Sequence, residues 1–179
     1  MYIPDFFDGS PVPLNVFSDP EARKNFDLKQ FNITNSKYAR EPWMRESALA
    51  LKAKPSVKTI GAVGYCWGAN GLFLIADLAK DIFDACIIIH PGPLEFPKDF
   101  ERVAPGPPWQ FQCAEYDYCF PNEQRDQVVE YLTGKGVSVK LIEYEKTIHG
   151  FAVCCFVVWV TDYRLEEIFL MIGVVELLG

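Results

Sequence analysis

The sequence predicts an α/β domain with a mostly parallel sheet flanked by helices, and three observations carry that expectation. Apolar runs of β type at 57–63, 85–89, 109–114 and 138–144 alternate with segments of helical periodicity, an order that implies parallel strands joined by right-handed crossovers. The run at 85–89, Ala-Cys-Ile-Ile-Ile, is wholly apolar, as expected of a strand covered on both faces. The first run passes through Gly64-Tyr65-Cys66-Trp67-Gly68 directly into a helix-like segment, so strand and helix meet at one sharp turn.

Each element has its own signals. Residues up to Pro20 hold Pro4, Pro11, Pro13 and Pro20 with Asp8-Gly9-Ser10 and read as loop and turn. Asp19-Pro20-Glu21 starts a short helix, a capping side chain followed by proline at the first helical position. A second helix is expected over 37–53, stopped by Pro55. After the strand at 57–63 a helix is expected over 67–80, where Leu72, Ile75, Ala76 and Ala79 recur at helical spacing. Between 90 and 108, Pro91, Pro93, Pro97, Pro105, Pro107 and Pro108 prevent any long element, and a loop near the site is expected there. The strand at 109–114 leads to a helix over 122–133, closed by Gly134 and Gly136, and then to the strand at 138–144.

With 179 residues, 50% hydrophobic and 23% charged, the chain suits one globular domain with a substantial core. A formal net charge of -7 disfavours a phosphate-binding surface, which needs clustered Lys and Arg, so nucleic acid is not an expected partner. Met1-Tyr2-Ile3-Pro4-Asp5 has neither the basic nor the apolar region of a secretory signal, and the cytoplasm is the expected location. The cysteines at 66, 86, 113, 119, 154 and 155 are then expected to be reduced. No Cys-x-x-Cys pair occurs and His90 and His149 are the only histidines, so no metal is expected, and the chemistry read below requires no organic cofactor. Arg23, Arg40, Arg45, Arg102 and Arg125 are scattered, each open to reading as a solvated surface charge.

The chemistry gathers around Cys66. Its flanking glycines suit a strained strand-to-helix turn, where side chains would collide with the neighbouring strand and helix. Its sulfur would stand at a helix N-terminus, where the dipole favours thiolate. Downstream, Asp117 lies in Glu115-Tyr116-Asp117-Tyr118-Cys119-Phe120-Pro121 and His149 in His149-Gly150-Phe151, each after a strand. The order nucleophile, acid, histidine is the one α/β-hydrolases use. His149 is the candidate general base and Asp117 the group that fixes its tautomer, with Glu115 competing for that place. The backbone N–H of Trp67 is a candidate oxyanion donor. Phe151 and Trp67 are candidates for lining an acyl pocket. Tyr65 is a candidate substrate contact, although it and Tyr118 equally suit the core. Plain structural readings stand beside these: a small buried hydrophobe for Cys66, a turn or cap residue for Asp117, a surface histidine for His149. His90 is expected to pack or hydrogen-bond.

In Gly64-Tyr65-Cys66-Trp67-Gly68, Glu115-Tyr116-Asp117 with Pro121, and His149-Gly150-Phe151, the chain resembles the dienelactone hydrolase family. Tyr2-Ile3-Pro4-Asp5-Phe6-Phe7 is similar to a loop that follows an earlier strand in such proteins. The resemblance divides the chain into a partial α/β-hydrolase-like domain at 1–152 and an atypical apolar tail at 153–179. It implies hydrolysis of a small ester or enol-lactone, such as dienelactone, through a thioester acyl-enzyme on Cys66. It further implies a sheet missing its N-terminal strands, with an exposed edge. By the same resemblance, a second oxyanion donor and a glutamate that contacts the resting thiol belong to a region before the chain starts.

In the tail, 151–160 carries no charge and 168–179 is almost as apolar, yet neither run reaches the roughly 20 residues that span a bilayer, so no membrane is expected. The resemblance implies a polar loop and an amphipathic helix here. The expectation is a sequence that is not the family's natural C-terminus, as a misread exon boundary would produce, rather than an unusual buried ending. Two other functional classes stay open: a non-catalytic remnant that binds a ligand or partner, and a thiol redox protein pairing Cys66 with Cys119 or Cys113. Nothing in the sequence indicates an oligomeric state.

Overall fold

The structure, a computed structural model, describes residues 2–153 and the strand Ile172–Val175. Three of its helices, α2 to α4, begin where the sequence supplies a capping side chain. One turn, α1 (Asn15–Ser18), lies in the proline-rich stretch expected to be loop. Asp19 then accepts the Glu21 N–H at 2.9 Å to start α2 (Pro20–Asn25), Asp27 accepts that of Gln30 at 2.8 Å to start α3 (Leu28–Thr34), and Ser36 accepts that of Ala39 at 3.2 Å to start α4 (Lys37–Lys52).

The first strand, β1 (Gly61–Tyr65), is shorter than expected, and the Ile60 N–H donates instead to the Asp84 carboxylate at 2.7 Å. The helix expected over 67–80 is divided. After α5 (Trp67–Leu74) the chain makes a 3-10 turn at Ala76–Leu78 before α6 (Ala79–Ile82). Side chains from elsewhere cause the break: Arg45 and Arg102 donate to the Leu74 carbonyl at 3.0 and 2.5 Å, and Arg45 bridges Asp77 at 2.6 Å. A helix end satisfied from outside has no need to continue. There follow β2 (Ala85–Ile89), β3 (Trp109–Tyr116), α7 (Asn122–Gly134) and β4 (Val139–Ile148). Past α7, Gly136 takes φ +80° while the N–H groups of Gly136 and Val137 return to the carbonyls of Thr133 and Leu132, a closure that favours glycine.

The strands form one sheet in the order β4-β3-β2-β1-β5, where β5 is Ile172–Val175. The first four are parallel, as the alternating order implied, and β5 pairs with β1 antiparallel, Gly61 opposite Val175. The edge expected to lie open beside β1 therefore carries a strand. The rest of the apolar tail lies outside the described residues. Phe73 of α5 anchors the core, stacked on Trp109 at 5.6 Å and edge-on to Phe100 at 4.8 Å, and each such ring stabilises the fold by about 1.5–3 kcal/mol on burial.

Parallel pairing decides where chemistry can gather. Tyr65 is opposite Ile89, and Tyr116 opposite Ile148. The next residues, Cys66, His90, Asp117 and His149, thus all emerge at the carboxyl edge of one sheet, where α/β folds place their ligands.

Candidate active site

Cys66 occupies the turn between β1 and α5 with φ 47° and ψ -118°, a left-handed conformation that costs a side-chain-bearing residue about 1–3 kcal/mol unless its surroundings impose it. Two features impose it. The Cys66 N–H donates to the Ile89 carbonyl at 3.1 Å, and at Gly64 the backbone approaches α5 so closely that an added Cβ would lie 2.6 Å from Ala69 Cα. The sulfur is thereby held at the start of α5, in a residue 5% exposed.

His149 stands between the other two candidates. Its Nδ1 lies 2.9 and 3.0 Å from the two Asp117 carboxylate oxygens and its Nε2 3.3 Å from Cys66 Sγ. Asp117 is itself fixed, accepting the N–H groups of Cys119 at 2.9 Å and Phe120 at 3.3 Å. Glu115, the competing acid, points elsewhere and accepts the Lys146 N–H at 2.5 Å. Burial opposes protonation of His149, but hydrogen bonds to Asp117, Cys119 and Cys66 outweigh it and hold the imidazole well above its ordinary pKa. The result is a stronger base than a free histidine.

The remaining candidates surround this axis. The half-buried Tyr65 ring is 6.0 Å from that of His90, and the Phe151 ring 5.5 Å from His90 and 5.0 Å from Tyr144. The Trp67 ring turns to Phe7, 5.4 Å away, while the loop after β2 passes beside its amide, so that a Cβ on Gly92 would lie 3.6 Å from Trp67 N. An apolar cavity of about 280 Å³, lined by Phe6, Met44, Leu51, Ala62, Leu72 and Phe83 among others, includes none of Cys66, Asp117 and His149.

His90 packs, as expected, but without the hydrogen bond. It is fully buried at φ 32°, edge-on to His149 at 5.1 Å, and neither ring nitrogen has a hydrogen-bond partner among the described residues. Burial, aided by the nearby His149 and opposed by Asp117, pushes its pKa down to about 4. Between that value and the ordinary histidine value of 6.5 the unfolded chain binds the extra proton, so stability falls as pH drops, by about 3 kcal/mol across the window. His149, raised instead, contributes stability below its unfolded pKa that is lost as pH climbs toward the folded one. Urea denaturation at pH 7 and pH 4.5 checks the acid side. His90→Phe, which keeps a ring and gives up no hydrogen bond among the described residues, should be much less acid-sensitive than the wild type; an equal acid shift in both would remove His90 as the cause.

Two residues near the site take places that the sequence did not indicate. Arg125, open to reading as a surface charge, is 2% exposed and donates to the carbonyls of Ala114 at 2.5 Å and Phe120 at 2.8 Å, and to Glu143 at 2.9 Å. Its signal was its spacing with Val128 and Leu132, the buried face of α7. Cys119 lies with Asp117 and His149 in a group whose donor atoms are all within 4.8 Å of one another. No local spacing announces that group, because its members come from loops after two different strands.

Parallel strands with covering helices, and a cysteine elbow facing a histidine and an aspartate at the carboxyl edge, define an α/β-hydrolase fold. An α/β serine hydrolase homologue from Coxiella burnetii superposes with a TM-score of 0.51, at 19% identity, over 65% of this chain and 53% of that one. The profile of the dienelactone hydrolase family matches residues 3–154, and the chain belongs to that family. Hydrolase pyvD of Aspergillus violaceofuscus is 24% identical over 153 residues, 86% of this chain and 58% of that protein. Dienlactone hydrolase 1 of Gibberella moniliformis is 30% identical over 153 residues, 83% of this chain and 56% of its own length. The chain thus spans a little under three fifths of the curated relatives it matches. Among the described residues no helix is long and apolar enough to cross a membrane.

Proposed function

We propose that the chain carries the catalytic residues of a hydrolase that cleaves a small ester or enol-lactone through a thioester on Cys66. The observation that supports this best is the position of His149, 2.9 Å from Asp117 on one side and 3.3 Å from a strained, buried cysteine on the other. In this reading His149 Nε2 holds the proton given up by Cys66, the thiolate sulfur attacks the carbonyl carbon, and the imidazolium passes that proton to the departing oxygen as the tetrahedral intermediate collapses. Water, activated by the same nitrogen, then cleaves the thioester and restores the thiol. Asp117 keeps the Nδ1 proton directed at itself and stabilises the imidazolium, and the Trp67 amide donates to the oxyanion. Tyr65 and Phe151, the rings flanking His90, are the proposed substrate contacts. No cofactor or metal takes part in these steps.

Reaction of the purified chain with p-nitrophenyl acetate, followed by intact mass, tests the proposal. An acetyl adduct on the wild type that Cys66→Ala abolishes is the expected result, with release of p-nitrophenol slowed by at least about a hundredfold. Equal release by both proteins would overturn the assignment. A stable adduct without turnover would retain Cys66 as nucleophile and place the defect in deacylation.

A further inference from the structure

Asp117, Cys119 and His149 each present one donor atom, and the three lie within 4.8 Å of one another. Oxygen, sulfur and nitrogen together make a donor set for zinc-like cations rather than for calcium or magnesium, which take oxygen alone. All three are shielded: Asp117 is 6% exposed, Cys119 9%, and the His149 side chain 7%. The Cys119 sulfur lies within 4.8 Å of a His149 ring nitrogen, and no step of the proposed hydrolysis uses it.

We propose that Asp117, Cys119 and His149 form a binding site for a thiophilic divalent cation of the zinc class, and that filling it arrests the site at Cys66. Zinc bonds of about 2.0–2.3 Å place tetrahedral donors roughly 3.5 Å apart, so the widest spacing in the group has to close by about an ångström while Asp117 and His149, 2.9 Å apart, open slightly. Three protein donors leave a fourth position for water. Coordination takes Cys119 as thiolate and His149 as neutral imidazole, their protons passing to solvent, so binding strengthens as pH rises. It also takes one lone pair of His149, and either nitrogen disables the base. With Nδ1 on the metal, Nε2 keeps its proton and cannot accept the one from Cys66; with Nε2 on the metal, the accepting lone pair is gone. Asp117 is drawn from the imidazole to the cation. Cys66 lies outside the donor set, so binding does not depend on the hydrolase reading. Arrest does rest on it.

The test is a Co²⁺ titration of the Cys66→Ser chain, kept reduced by a non-chelating phosphine. One equivalent should bind with a thiolate-to-cobalt charge-transfer band that Zn²⁺ then bleaches. Adding Cys119→Ser, or Cys119→Ala, should abolish the band while each variant keeps a cooperative melting transition. The same band in the Cys119 variants, or none with stoichiometric Co²⁺, would overturn the site. In the wild type, Zn²⁺ should suppress acylation by p-nitrophenyl acetate, and Cys119→Ala should need more Zn²⁺ by at least the roughly tenfold that even an outer-shell change produces. Acylation that Zn²⁺ leaves untouched would overturn the arrest. If the wild type never acylates, the hydrolase reading and the arrest fall together, and the cobalt band still decides the site.

Discussion

Gly64→Ala is expected to destabilise the fold by about 3 kcal/mol or more, a large part of the 5–15 kcal/mol that holds an ordinary domain together. The methyl group would lie 2.6 Å from Ala69 Cα and 2.7 Å from both Ala69 N and the Gly68 carbonyl oxygen. All three are backbone atoms of α5, so no side chain can rotate out of the way. Relief requires α5 to move off β1, and α5 carries both the Trp67 amide and the packing of Phe73 on Trp109 and Phe100. The elbow and the aromatic core would loosen together. Gly134→Ala is the control. Nothing lies within 4 Å of its added Cβ and the residue closes α7, so alanine there should be neutral or stabilising by up to about 1 kcal/mol. Urea midpoints of the two variants decide the matter: a Gly64→Ala midpoint equal to that of Gly134→Ala would mean that α5 gives way freely, and that the glycine is not required by the turn.

This turn was legible in the sequence because it depends on neighbours along the chain. A strand, two glycines and a helix within a dozen residues leave little choice of geometry, and the same locality made the four parallel strands readable. Cys66, Asp117 and His149 could be singled out for a related reason. Each follows a strand, and parallel strands bring their carboxyl ends to one edge, so topology does the gathering. The break at Leu74 was not legible, since its cause, Arg45 and Arg102 donating to one carbonyl, comes from residues roughly thirty positions away on either side. Cys119 could be named only as one of two possible redox partners of Cys66, and only the approach of the loop after β4 gives it His149 as a neighbour. His90 follows the same rule as the other three strand ends, but the sequence carries no sign that its imidazole would be buried without a hydrogen-bond partner among the described residues.

Arg125→Met should lower both stability and the rate at which Cys66 is acylated, although Arg125 touches neither Cys66 nor His149 by hydrogen bond. Its guanidinium donates to the carbonyl of Ala114, within β3, and to that of Phe120, at the end of the loop carrying Asp117. One planar group therefore ties the two ends of that loop together, with Asp117 between them. Methionine matches the apolar stem but leaves these carbonyls without their buried donor, at about 1–3 kcal/mol apiece. The ion pair adds little, because the Glu143 side chain is 41% exposed and solvent screens it, so a total near 3 kcal/mol is expected. Under the proposed chemistry the functional effect follows from Asp117, whose hold on Nδ1 keeps Nε2 aimed at sulfur 3.3 Å away. A shift of about an ångström in such an arrangement slows reaction roughly a hundredfold. Arg125→Lys separates the two effects, since an ammonium retains the charge and cannot reproduce the fork that spans both carbonyls. At a temperature where all three proteins are folded, acylation by p-nitrophenyl acetate should be slow in both variants. It should also show an altered pH profile, because a displaced Asp117 relaxes the imidazole toward its ordinary pKa. Wild-type rates and an unchanged profile in a folded Arg125→Met would mean that the loop holds Asp117 without this tether, through the amides of Cys119 and Phe120 alone.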